Sequence, residues 1–118
     1  MTIRVLVADD QAMIRGALAG LLDLESDIEV VAQASDGAHV LKELARLAES
    51  ATTPSQEQAP ADVAVIDIEM PRMDGITATR AIRARFPGVR VLIVTTFGRP
   101  GYLQRALDAG ATGFMVKD

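Results

Sequence analysis

The stretch VAVIDIEMPRMDG, Val63 to Gly75, decides how this chain is read. An aspartate, Asp67, stands at the end of the apolar run VAVI. Glu69 follows two residues on, then the pair Met70-Pro71, then Asp74-Gly75. A carboxylate carried straight out of a buried run is costly unless something offsets its charge. What offsets it depends on the elements that flank it.

The chain has 118 residues, which suits one compact domain over 1–118. Hydrophobic residues make up 49% and aromatic residues 3%, so the core is expected to be aliphatic. The net charge of −4 argues against a nucleic-acid surface, which calls for a basic stripe. The chain has no cysteine, which excludes disulfides, thiolate metal sites and a cysteine nucleophile. The N-terminus enters a strand-like run with no signal-peptide pattern, and no apolar run approaches the roughly 20 residues that cross a bilayer. The expectation is a soluble cytoplasmic domain with no direct membrane contact.

Working outward from Asp67, five short apolar runs alternate with four helical patterns. The runs are IRVLVA (3–8), IEVVAQ (28–33), DVAVID (62–67), VRVLIVT (89–95) and TGFMV (112–116). Most lack polar alternation, as parallel strands covered on both faces do. Helix one carries a stripe of Ile14, Ala17, Leu18, Leu21 and Leu22, and helix two one of Leu41, Leu44, Leu47 and Ala48. Asp36 and Asp74 stand where N-caps belong for helices two and three, Pro100 suits the first turn of helix four, and Gly110 its end. Such alternation implies right-handed crossovers and a doubly wound α/β fold. Five strands suit the flavodoxin-like order 2-1-3-4-5 of a parallel sheet, whose site lies beyond the carboxyl ends of the strands. The segment 49–61, polar and rich in Ser, Thr, Gln and Pro, reads as a long flexible loop.

In that order, strands one, three, four and five are consecutive neighbours. Strand one ends in Asp9-Asp10, strand three in Asp67 with Glu69 beyond, strand four in Thr95-Thr96, and strand five in Lys117. Two carboxylates ~4 Å apart repel by roughly 4 kcal/mol at an effective dielectric near 20. Three together must take up protons or bind a cation. Oxygen donors without His or Cys favour a hard ion, Mg²⁺ above all, which tends to share its sphere with a phosphate. A lysine and a threonine hydroxyl nearby suit phosphoryl oxygens. Asp67, on the middle strand, is the candidate nucleophile for an aspartyl phosphate. Glu69 offers its backbone carbonyl to the metal. Gly75 relieves crowding at the turn into helix three. His39, the sole histidine, is expected to be solvated on helix two, and Met70 and Met73 to pack rather than form a partner patch.

With ADD at 8–10, DIEMPRMDG at 67–75, IVTTF at 93–97 and GATGFMVKD at 110–118, the chain resembles the receiver domain of a two-component response regulator. The resemblance runs over almost the whole chain. It implies Asp67 as phosphoacceptor, and Asp9 and Asp10 as the acidic pair for Mg²⁺, with Asp10 the direct ligand. It further implies Thr95 as switch hydroxyl, Lys117 on the phosphoryl group and Phe114 as switch aromatic. The TTF and GATGF forms resemble the NarL/FixJ branch, and DesR-type regulators most closely. That implies a histidine kinase partner, membrane-bound and DesK-like, a homodimer on phosphorylation, and DNA contact only through a C-terminal helix-turn-helix domain missing from this chain. The family's fifth helix is likewise not expected here, and the 49–61 loop is longer than the family's usual connection. Such a domain is not a turnover enzyme but assists its own phosphorylation and dephosphorylation. Two other readings use the same residues: an aspartyl-phosphate phosphatase of the haloacid dehalogenase type, and a pseudo-receiver that only binds partners.

Overall fold

The apolar runs become strands and the striped segments become helices, in strict alternation. The computed structural model describes residues 2–49, 59–95 and 100–116. Strands β1 (Ile3–Ala8), β2 (Ile28–Ala34), β3 (Val63–Asp67), β4 (Arg90–Thr95) and β5 (Gly113–Val116) alternate with helices α1 (Ala12–Asp23), α2 (Gly37–Glu49), α3 (Gly75–Arg85) and α4 (Tyr102–Ala109). All strand pairings are parallel, and the sheet order is β2-β1-β3-β4-β5, as expected from the sequence. Four helices are present among the described residues, and no fifth. Of the 49–61 segment, residues 50–58 lie outside the described residues.

Because side chains alternate along a strand, strands β1, β2 and β3 feed two cores. Leu6 and Ala8 of β1, Ala64 and Ile66 of β3, and Val91 and Ile93 of β4 face one side. There they meet Val40, Leu41 and Leu44 of α2, Ile76 and Ile82 of α3, and Ala106 and Ala109 of α4. Val5 and Val7 face the other side and meet Leu18, Ala19 and Leu22 of α1. Three helices therefore cover one face of the sheet, and α1 lies on the other.

Some local expectations hold and others shift. The Asp74 carboxylate accepts the Thr77 N–H at 2.8 Å and caps α3. The Asp36 carboxylate accepts the His39 N–H at 2.9 Å and does the same for α2. Gly110, with φ of 103°, closes α4. Pro100 does not lie in the first turn of α4. The cap is Gly101, with φ of 86°, and the helix begins at Tyr102. The stripe on α1 is also displaced. Leu18, Ala19 and Leu22 pack inward, while Ile14 and Leu21 are exposed. A helix that rests on a sheet through one narrow face buries only the residues over β1 and β2, and this helix carries apolar residues on a second face as well.

Ile82 is fully buried at the centre of the three-helix side. Ile82→Ala should cost about 2–5 kcal/mol of stability, and Asp74→Ala about 1 kcal/mol, both read as urea unfolding midpoints. Equal losses for the two would contradict this packing.

Candidate functional site

The strand order reverses between β1 and β3, and this is where the acids gather. The register sets Ala8 beside Ile66, so the next residues, Asp9 and Asp67, leave the sheet side by side. One carboxylate oxygen each from Asp9, Asp10 and Asp67 lies within 4.8 Å of the others. Asp9 is 3% exposed and Asp67 9%, whereas Asp10 is exposed. The cluster is thus half-buried, with Asp10 on its exposed side.

Local bonds hold Asp9, and the sheet holds Asp67. The Asp9 N–H donates to the Ala34 carbonyl at 3.1 Å. Its Oδ1 accepts the Gln11 N–H at 2.9 Å, and its carbonyl accepts Nη1 of Arg15 at 2.8 Å. Asp67 is the last residue of β3 and pairs with Val94 of β4. Beyond it the chain turns back, and the Gly75 N–H reaches the Ile68 carbonyl at 2.9 Å. A Cβ on Gly75 would collide with the Asp67 carbonyl oxygen. Glycine is therefore required at position 75, where α3 starts against the end of β3. Met70 is buried and Met73 packs on the larger core, as expected of packing residues.

Thr95 ends β4, is 1% exposed, and follows the residue paired with Asp67. Phe114 is half-buried on β5, paired with Ile93, and packs on the larger core. Val116 pairs with Thr95. Lys117, expected at this rim, lies outside the described residues, as does Thr96. The structure thus brings together Asp9, Asp10 and Asp67, and places Thr95 on the adjoining strand.

The donor chemistry fits a hard divalent cation. Among the described residues the cluster offers carboxylate oxygens alone, without imidazole or thiolate. The exposed Asp10 side leaves room for the waters that Mg²⁺ retains. Mutual repulsion of three close carboxylates is relieved by a cation between them.

Three contacts around the site carry no signal in the sequence pattern. Arg72, in the loop after Asp67, donates through Nε at 2.9 Å, and through Nη2, to Oδ2 of Asp36. Arg72 has φ of 65°, a left-handed conformation that costs a residue with a Cβ on the order of 1–2 kcal/mol. Tyr102 of α4 is half-buried, and its hydroxyl donates to Oε1 of Glu69 at 3.3 Å. His39 is half-buried rather than solvated, and its Nδ1 accepts the Ser35 N–H at 3.1 Å. Pro71-Arg72 before Asp-Gly marks a turn, but not the partner 36 residues away.

The His39 N–H holds the Asp36 carboxyl below the usual carboxylate range, with burial opposing and the Arg72 guanidinium adding to it. A depressed carboxylate contributes stability that is present above its unfolded-state value and is lost as pH falls through the folded-state value.

Against known proteins, the response regulator receiver domain family matches residues 5–118. This chain belongs to that family. The receiver is 40% identical over 116 residues to the transcriptional regulatory protein YvfU of Bacillus subtilis, covering 98% of this chain and 52% of YvfU. It is 39% identical to the transcriptional regulatory protein DesR of the same organism, covering 98% of this chain and 51% of DesR. The chain therefore spans about half the length of these relatives. The signal receiver domain of NarL from Mycobacterium tuberculosis superposes with a TM-score of 0.82 at 34% identity, covering 99% of this chain and 85% of that one. The receiver's acids sit after β1 and β3, unlike the haloacid dehalogenase arrangement with both aspartates after the first strand. No helix among the described residues is long and apolar enough to cross a membrane.

Two outcomes follow. Gly75→Ala should lose about 1–3 kcal/mol in urea unfolding, and a neutral result would contradict the close approach to Asp67. Asp36→Asn keeps an acceptor for the cap but removes the titration. The stability gap between the parent chain and this variant should shrink as pH falls from 6 to below about 4. A gap that widens on acidification would reverse the sign of the effect.

Proposed function

We propose that this chain is the phosphoacceptor receiver of a two-component system, with Asp67 as the residue that takes the phosphoryl group. The observation that carries this is the convergence of Asp9, Asp10 and Asp67 at the switch in strand order of a receiver fold. The donor is a phosphohistidine on a sensor kinase, or a small acyl phosphate. An Asp67 carboxylate oxygen forms the new P–O bond, and the P–N bond of the phosphohistidine breaks with its electron pair left on the imidazole. Asp9, Asp10 and Asp67, with the Glu69 backbone carbonyl, would hold Mg²⁺. When bound, Mg²⁺ supplies positive charge to the phosphoryl oxygens of an in-line transfer. Lys117 and the Thr95 hydroxyl are assigned to the remaining phosphoryl oxygens. The chain thus assists its own phosphorylation, and its dephosphorylation when water replaces the histidine.

The product carries about −1.5 to −2 additional charge and three strong acceptor oxygens. Thr95 lies under the α4 side of the sheet, and movement of its hydroxyl toward the new group frees space that Phe114 can enter. That biases two states of the surface made by α4 and β5. Leu103 and Leu107 of α4 and Met115 and Val116 of β5 are exposed there. A change in self-association follows from that bias, and transcriptional output follows from the similarity to regulators twice this length.

Incubation with acetyl phosphate and Mg²⁺ should add one phosphoryl group by intact mass, mapped to Asp67, and none to Asp67→Asn. Full labelling of that variant overturns the assignment.

A further inference from the structure

One contact near the site has no part in the transfer just described, yet it joins α2 to the loop that follows the phosphoacceptor. Asp36 is 4% exposed and divides its two oxygens between two elements. Oδ1 takes the His39 N–H at 2.9 Å and holds the first turn of α2. Oδ2 takes Nε of Arg72 at 2.9 Å, and Nη2 as well. The next residue of each element repeats the link, because the Gly37 N–H donates to the Met73 carbonyl at 2.9 Å. The approach is so close that a Cβ on Gly37 would stand 2.6 Å from that oxygen. Two consecutive loop residues are therefore pinned to the capping residue and the first residue of α2.

The pinned loop is itself tightly wound. The Met70 N–H donates to Ile68 at 3.1 Å, the Met73 N–H to Pro71 at 2.7 Å, and the Gly75 N–H to Ile68 at 2.9 Å. Displacement at Arg72 is therefore passed to Glu69 on one side and to the Asp67–Gly75 contact on the other. Arg72 holds φ of 65°, a backbone state that persists only where the surroundings over-determine it, and such states cluster at functional sites. The planar fork of a guanidinium suits the two bonds to one carboxylate oxygen, where a lysine offers only a point charge.

We infer that Arg72 is a positioning residue for the phosphoryl site. Its ion pair with Asp36 braces the loop of residues 68–75 against α2, in the shape that presents the Glu69 carbonyl to the metal. This rests on the reading of Asp67 and Glu69 above.

The test compares Arg72→Gly and Arg72→Lys with the parent chain. Glycine accepts the positive φ, so the first variant removes the brace without leaving a strained Cβ. Two readouts are taken: amide hydrogen exchange at Gly37, Met73 and Gly75, measured without metal, and the Mg²⁺ dissociation constant by titration. In Arg72→Gly, exchange at these three amides should rise about tenfold while the amides of β1 and β3 keep their protection. Mg²⁺ binding should weaken about threefold to tenfold, and Arg72→Lys should recover part of both losses. Unchanged exchange overturns the brace. Faster exchange with unchanged Mg²⁺ affinity overturns its role at the site. A parent chain that takes up no Mg²⁺ refutes the reading of the acidic cluster, and this inference with it; normal binding in both chains refutes the inference alone.

Discussion

Three carboxylates held close together at the end of a parallel sheet are the constraint on which everything else in this molecule depends. The register of β1 against β3 puts Asp9 and Asp67 on adjacent strand ends, and Asp10 completes the group. Asp9 is 3% exposed, so its charge is not simply solvated away. Repulsion of this size, roughly 4 kcal/mol per close pair at an intermediate dielectric, is relieved by a cation, by a neighbouring positive side chain or by protonation. The aliphatic sheet beneath supplies rigidity, with Leu6, Ile66 and Ile93 fully buried. The tight turns around Asp9 and Gly75 fix the directions in which the acids leave it.

The surrounding contacts divide into those that hold the site and those that connect it outward. Arg15 on the Asp9 carbonyl and the Asp36–Arg72 pair belong to the first kind. Tyr102 on Glu69 belongs to the second. It ties the loop that follows Asp67 to the first residue of α4, the helix whose outer face exposes Leu103 and Leu107. Under the proposed phosphorylation, a change in charge at Asp67 would have two routes to α4: through the buried Thr95 on β4, and across the surface through Glu69.

The fold was legible because its signals are local and repeated. Each apolar run became a strand within a residue or two, the capping aspartates at 36 and 74 carried their own mechanism, and strand alternation with helices left few topologies. The acidic cluster was legible because strand order converts sequence position into neighbourhood. Legibility failed where geometry depends on a distant partner. Arg72 reads as one more charged turn residue until Asp36 is placed beside it. His39 reads as surface until the Ser35 N–H is seen to need an acceptor. The inward face of α1 failed for a different reason: its apolar residues occupy two faces, and periodicity alone does not say which one the sheet covers.

The central claim is that the acids at 9, 10 and 67 form one cation site. Calorimetric titration with Mg²⁺ of the parent chain and of Asp9→Asn, Asp10→Asn and Asp67→Asn tests it most directly. A single binding event is expected in the parent, weakened in every one of the three variants because each removes charge from the same cluster. Affinity that survives all three neutralisations unaltered would show that the cation binds elsewhere, and would contradict it.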